Sequence, residues 1–138
     1  MDVQPYLFFD GRCEEAVEFY QQAVGAQVLM LMRYADAPPA SAPPEAVAPG
    51  SQNKVMHVSF KVGSSTLMAS DDCSPGVHDI KGFSLSINAA DAAEATRLFN
   101  ALADGGTVRM PLEKTFWSPL YGMVTDRFGV NWMVSVAH

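Results

Sequence analysis

The pattern of apolar and polar positions along the chain predicts eight strands and two helices. Short apolar runs end at glycine, proline or aspartate turns, and two longer segments have apolar residues at helical spacing. The predicted strands span 6–9, 27–34, 54–62, 65–70, 82–88, 107–112, 121–126 and 130–136, and the predicted helices span 14–24 and 91–103. The order β-α-β-β-β therefore occurs twice, which indicates an α+β fold.

The two halves also match at individual residues. Phe19 aligns with Phe99, Ala23 with Ala103, Gly25 with Gly105 and Val28 with Val108; in the hairpins, Val58 aligns with Val124 and Gly63 with Gly129. We predict a single domain, 1–138, of two tandem βαβββ modules, 1–73 and 74–138, that form a curved mixed sheet around a cleft. Each module alone would expose apolar surface, so we also predict a homodimer.

The segment 35–53 differs in composition from the rest of the chain. It contains five prolines and almost no large apolar side chain, which predicts a long mobile loop inside the first module. The loop is either a lid over the cleft or a plain insertion.

Composition and charge exclude several classes of function. Hydrophobic residues make up 49% of the chain and the net charge is −6, without a cluster of Lys and Arg, which argues against nucleic acid as a partner. No apolar run reaches the roughly 20 residues that span a bilayer, and the N-terminus does not begin a signal peptide. Cys13 and Cys73 lack zinc-site spacing, so we expect idle or buried thiols and a cytoplasmic protein.

Three stretches carry a family resemblance: PYLFFDGRCEEAVEFYQQAVGA, LEKTFW and VTDRFGVNWMV. They resemble the vicinal oxygen chelate superfamily, which includes glyoxalase I, extradiol dioxygenases, and the fosfomycin and bleomycin resistance proteins. Within it they look like the PhnB-like branch, whose members are often called 3-demethylubiquinone-9 3-methyltransferase-like. The resemblance covers nearly the whole chain and implies a fold and a homodimer, but no single activity.

The resemblance also bears on metal binding. In metal-using members, His, Glu or Gln ligands come from the first and last strands of each module. The corresponding positions fall near Gln4, within 67–69, at Phe83 and at Met133. Phe83 and Met133 cannot ligate a hard or borderline dication, so we predict no metal and no cofactor. His57 is a spare ligand candidate, and a hydrogen-bonded histidine that lines or packs the cleft is the alternative.

Other side chains are candidates for a ligand site. The aromatic rings of Trp117 and Tyr121 suit a planar or apolar molecule. For Trp132, a place in the ligand site and a place in the core are equally consistent with the sequence. Glu113 is a candidate general acid or base, with a solvated carboxylate as the alternative. The methionines are expected mostly in the strand core, with a few in the cleft lining. The predicted ligand-binding residues are Gln4, His57, Phe83, Trp117, Tyr121 and Met133.

The leading hypothesis is a homodimer that binds an apolar or aromatic small molecule without a metal, as bleomycin-binding relatives do. A metal-dependent lyase, isomerase or dioxygenase is the alternative. Methyl transfer has less support, because no Gly-rich loop follows a strand and opens a helix. A purely structural or interaction domain is the fourth hypothesis, and whether the chain is an enzyme stays open.

Overall fold

The computed structural model describes residues 1–36, 50–73 and 79–137, which belong to two compact units, Met1–His78 and Asp79–His138. In the first unit the elements are β1 Tyr6–Phe9, α1 Cys13–Ala23, β2 Gln27–Arg33, a 3₁₀ turn Tyr34–Asp36, β3 Val55–Val62 and β4 Ser65–Asp71. In the second they are β5 Leu85–Ala89, α2 Ala92–Ala103, β6 Thr107–Glu113, β7 Leu120–Thr125 and β8 Asn131–Val136.

Each unit contains one four-stranded mixed sheet, and the two sheets have the same topology. The strand order is β1-β4-β3-β2 in the first unit and β5-β8-β7-β6 in the second. In each sheet the first and last strands of the unit pair in parallel, and the other neighbours are antiparallel. The predicted α+β fold of tandem βαβββ modules is confirmed.

The structure corrects one predicted strand. Residues 82–84 were expected in the fifth strand, but β5 begins at Leu85. Gly82 has φ of 87°, a left-handed conformation that interrupts extended backbone. Phe83 therefore lies ahead of the strand rather than within it.

The strand register corrects the alignment of the two halves. Val28 pairs with Phe60, and Val108 pairs with Val124, so Val124 corresponds to Phe60 rather than to Val58. The difference arises in the hairpin turns. The β3–β4 turn is closed by the pair Val62 and Ser65, whereas the β7–β8 turn is longer and is closed by Thr125 and Asn131.

The core of each unit lies between its helix and one face of its sheet. In the first unit Tyr20 of α1 stacks on Phe60 of β3, with ring centroids 6.3 Å apart. In the second unit the buried side chains are Ala95, Leu98, Phe99 and Leu102 of α2, with Val124, Trp132 and Val134 of the sheet. Trp132 is only 2% exposed, which agrees with the core role predicted for it.

A buried aspartate fixes the backbone in each unit. Asp71 accepts hydrogen bonds from the backbone N–H groups of Cys13 (2.8 Å) and Val55 (2.9 Å), which joins the start of α1 to β3. Asp126 begins the β7–β8 turn and accepts from the Trp132 indole N–H at 2.8 Å. Gly129 closes that turn with φ of 89°, as its position predicts.

Most of the predicted loop 35–53 falls outside the described residues, which omit 37–49, and the connector residues 74–78 and His138 fall outside them as well. The described ends of the loop bond to each other. The Ala35 N–H donates to the Gln52 carbonyl at 2.8 Å, and the Tyr34 N–H donates to the Lys54 carbonyl at 3.1 Å.

The expectation that methionines fill the strand core is wrong. Met30 and Met32 are exposed, and Met56, Met68, Met123 and Met133 are half-buried. The first pair lies on β2, an edge strand, which has a neighbour on one side only.

In the described part of the chain, neither helix is long and apolar enough to cross a membrane.

Candidate functional site

A pocket of about 370 Å³ lies in the second unit. Its lining residues come from the segment before β5 and from the three strands β6, β7 and β8: Gly82, Phe83, Ser84, Arg109, Met123, Val124, Asn131, Trp132 and Met133. Along β7 and β8, half-buried Met123, Asn131 and Met133 alternate with buried residues of the core. Successive strand side chains point to opposite faces, so these three project from the face opposite α2.

The apolar side of the pocket is formed by an aromatic ring and two thioethers. Phe83 is 44% exposed at the pocket, and Met123 and Met133 line it from neighbouring strands. Soft thioethers and an accessible ring suit an apolar or aromatic ligand. Two predicted ligand-binding residues, Phe83 and Met133, therefore line the same pocket.

Tyr121 and Trp117 connect to the pocket through Met133. The Tyr121 hydroxyl donates to the Met133 sulfur at 3.0 Å. The ring of Trp117 packs edge-on against Tyr121, with centroids 5.3 Å apart, and is 49% exposed. Neither aromatic lines the pocket directly, so the pair supports Met133 and extends an aromatic surface beyond it.

A series of hydrogen bonds connects the polar residues Arg109 and Asn131 of the pocket lining. Arg109 Nη1 donates to Thr125 Oγ1 at 3.5 Å, and Thr125 Oγ1 donates to Asn131 Oδ1 at 2.6 Å. Asn131 Nδ2 in turn donates to the Phe83 carbonyl at 3.5 Å. The sequence predictions missed Arg109 and Asn131. The one available signal was an arginine between Val108 and Met110 in an apolar strand.

The candidates from the first unit do not line this pocket. The Tyr6 hydroxyl and His57 Nδ1 are 3.0 Å apart and form a hydrogen bond, which matches the alternative role predicted for the histidine. Gln4 is exposed ahead of β1.

Glu113, the candidate general acid or base, lies at the end of β6 in the second unit. It is exposed, pairs with Tyr121 across the strands, and does not line the pocket.

The donor groups do not fit the metal site of the superfamily. The Phe83 side chain has no donor atom, and the Met133 sulfur already accepts a hydrogen bond from Tyr121. Within 1–36, 50–73 and 79–137, no group of three or more His, Cys, Asp or Glu side chains could hold a metal ion. We derive no chemical step that involves a metal.

Cys13 is not placed to act as a nucleophile. Its side chain is fully buried. Burial raises the pKa of the Cys13 thiol well above its ordinary value, and the charges of Asp71 and Glu14 raise it further. Because the thiolate is the reactive form, this thiol stays protonated and inert near neutral pH.

An ion pair lies on the surface of the first unit. Glu14, in the first turn of α1, accepts two hydrogen bonds from the Arg33 guanidinium. These bonds lower the pKa of the Glu14 carboxyl. The pair connects α1 to the end of β2 and has a structural role.

Comparisons with known proteins agree with this architecture. The family model of 3-demethylubiquinone-9 3-methyltransferase matches residues 1–135. Protein YjdN of Escherichia coli is 31% identical, over 99% of this chain and 95% of that protein. Protein PA1353 of Pseudomonas aeruginosa has a crystal structure with a TM-score of 0.86 at 44% identity, covering 99% of this chain and 98% of the other.

Two further solved structures share the fold. The putative 3-demethylubiquinone-9 3-methyltransferase, PhnB protein, of Bacillus cereus has a TM-score of 0.82 at 24% identity, covering 99% of this chain and 100% of the other. A glyoxylase/bleomycin resistance protein/dioxygenase domain of Frankia has a TM-score of 0.70 at 10% identity, covering 100% and 98%. The chain thus belongs to the 3-demethylubiquinone-9 3-methyltransferase family.

Proposed function

We propose that this chain is a small-molecule-binding protein that holds an apolar or aromatic ligand in the pocket of the second unit, without a metal. The observation that carries the proposal is the pocket itself, in which Phe83, Met123 and Met133 provide an apolar lining. Its volume of about 370 Å³ is large enough for a small organic ligand. Asn131 and Arg109 add the few polar groups that typically orient a ligand.

The chemistry at the superfamily's metal positions supports binding without a metal. The family resemblance assigns Phe83 and Met133 to positions where metal-using members carry His or Glu, and neither side chain supplies the nitrogen or oxygen donor that a divalent ion requires. Phe83 and Met133 instead enlarge the apolar surface available to the ligand. Binding through shape and apolar contact is then the role that these two side chains serve.

Methyl transfer, which the family name suggests, has less support from the local structure. Gly105 and Gly106, the one Gly-Gly pair in the chain, follow the end of α2 and precede β6. A glycine-rich dinucleotide loop follows a strand and opens a helix, the opposite order. The glycine pair is thus a helix terminus.

We also propose a homodimer in the cytoplasm. β2 and β6 are edge strands and carry exposed apolar side chains, among them Leu29 and Val108. Exposed apolar edges favour association with another chain. The two free thiols, with Cys13 buried, suit a reducing compartment.

Native mass spectrometry, combined with metal analysis of the same protein purified without chelator, tests the proposal. We expect no stoichiometric metal, and either no adduct or an organic adduct. An adduct that disappears in Met133→Glu but persists in Met32→Glu would locate binding in the pocket, because Met32 lies on the edge strand of the other unit. About one divalent ion per chain would instead favour the metal-dependent lyase, isomerase or dioxygenase.

A further inference from the structure

A β-bulge places a charged side chain at the pocket. Val108 pairs with Val124 and Met110 with Met123, so β6 advances by two residues while β7 advances by one. Arg109 is the extra residue. Bulges bend a strand and redirect side chains, and they are common beside functional sites.

The first unit contains the same backbone feature without the charge. Val28 pairs with Phe60 and Met30 with Ser59, so Leu29 is the extra residue of β2. The bulge thus belongs to the module, whereas the arginine is specific to the second unit. Leu29 is 55% exposed and does not line the pocket of the second unit.

No described residue forms an ion pair with Arg109. Among the described residues that line the pocket, Arg109 is the one that carries a charge. The ion pairs between described residues involve Arg12, Arg33 and Arg127, not Arg109. Its hydrogen bond goes to the neutral hydroxyl of Thr125, at the long distance of 3.5 Å, which leaves most of the guanidinium N–H groups available to a ligand.

We infer that Arg109 binds an oxyanion of the ligand, so that the pocket takes an aromatic or apolar molecule that carries a carboxylate or a similar acidic group. The planar guanidinium can donate two parallel hydrogen bonds to such a group. The rest of the ligand would lie against Phe83, Met123 and Met133, which share the pocket. This inference rests on the proposed function of the pocket and adds the charge of the ligand to it.

Three pairs of probes that differ in charge test the inference: benzoate and benzamide, 2-naphthoate and 2-naphthamide, and indole-3-acetate and indole-3-acetamide. Each is titrated into full-length protein with ¹³C-methyl methionine. The Met123 and Met133 methyl signals report binding in the pocket, and the Met30 and Met32 signals report the first unit. We expect at least one acid to bind about tenfold more tightly than its amide, since a charge-assisted hydrogen bond is worth more than a neutral one.

Arg109→Gln should remove the preference for the acid and leave the affinity for the amide unchanged. Arg97→Gln, an equal loss of charge at an exposed position on α2, is the matched control and should keep the preference. Retained binding of the amide, detected at the Met123 and Met133 signals, would show that the second unit of the Arg109 variant remains folded.

The remaining outcomes would contradict either the anion site or the proposed binding function. If acids and amides bind the wild type equally, or if Arg109→Gln keeps the preference, the anion site is wrong and the apolar pocket stands. If Arg97→Gln lost the preference for the acid to the same extent, the preference would result from the net charge of the protein. That result would also overturn the anion site. If no probe shifts the Met123 or Met133 signals up to its solubility limit, the proposed binding function itself fails.

Discussion

Asp126 shows how one buried residue holds a turn at the scale of single contacts. It is almost fully buried, and its carboxylate accepts from the backbone N–H groups of Phe128 and Val130 and from the Trp132 indole. The sequence predicts the turn from its Asp and Gly residues. It does not predict that the carboxylate points inward, because the partner indole is brought to it by the return of β8.

Replacing Asp126 by alanine leaves three donors without this acceptor, and two of them, the Val130 N–H and the Trp132 indole N–H, are buried. We expect Asp126→Ala to lower the free energy of unfolding by about 3 kcal/mol, and Asp126→Asn by about half as much, since the amide keeps one acceptor oxygen. Urea unfolding followed by tryptophan fluorescence measures both. Asp104→Asn is the control: its carboxylate forms an exposed ion pair with Arg127, whose loss should cost under about 1 kcal/mol.

We expect ionisation of Tyr34 to lower the stability of the protein at alkaline pH. Burial, first of all, raises the pKa of Tyr34 to about 12 from an ordinary value of 10.0, with Cys73 and Asp71 adding to the shift. Its hydroxyl donates to the Asp71 carbonyl at 3.0 Å. A raised pKa favours the neutral form in the folded state. The resulting stability is complete below pH 10 and is lost as the pH rises towards 12.

Wild type should therefore be more stable than Tyr34→Phe at pH 8, and the difference should shrink between pH 10 and pH 12. Urea midpoints at pH 8, 10 and 11.5 measure this. A difference that stays constant across these three values would show that the tyrosine does not titrate in this range.

At the scale of elements, local signals were sufficient for most of the fold. Helix α2 was placed by its apolar spacing and by Asp91, whose carboxylate accepts from the Glu94 N–H as an N-cap should. The register of the second hairpin and the bulge at Arg109 were not predictable in the same way. Both depend on which residues pair across strands, and a change of a few residues in turn length alters that pairing without changing the apolar pattern.

Gly106 marks a close approach between two elements of the second unit. A Cβ at this position would collide with the Thr125 carbonyl oxygen and with the Asp126 backbone, at the end of β7. Backbone atoms at a strand end cannot move away cheaply. The chain between α2 and β6 therefore requires glycine here.

We expect Gly106→Ala to destabilise the protein by about 3 kcal/mol, at the upper end for overpacking. Gly129→Ala is the matched control, since its Cβ would meet no atom within 4 Å and only its left-handed backbone costs about 1 kcal/mol. Urea unfolding compares the two variants. Equal losses would mean that the β7 backbone can shift to accommodate the methyl group.

For the whole molecule, the sequence indicated the family and two of the residues that line the candidate pocket. Phe83 and Met133 were found because the resemblance assigns them to ligand positions in the superfamily. Arg109 was missed because it lies outside the stretches that carry the resemblance. It connects to Asn131 only through Thr125, on the strand between theirs. His57 was identified as a hydrogen-bonding residue, but its partner, Tyr6, follows from the pairing of both β1 and β3 with β4 and is not a local signal.

The homodimer is the remaining prediction for the whole molecule, and the edge strands provide its test. Leu29 and Met30 expose apolar side chains on β2, where no further strand of the first sheet follows. Light scattering after size-exclusion chromatography should give about twice the chain mass of 14.9 kDa. If β2 forms the contact, Leu29→Glu should shift the mass to that of one chain, because burying an unpaired carboxylate at an interface is costly.

Glu18→Gln removes a charge from an exposed position on α1 and should leave the dimer intact. A wild-type mass of one chain across micromolar concentrations would contradict the dimer. A dimer that persists in Leu29→Glu would place the contact on another surface. Phe116, exposed beside Trp117, would then be the next position to substitute, and a monomer in Phe116→Glu would assign the aromatic surface to subunit contact.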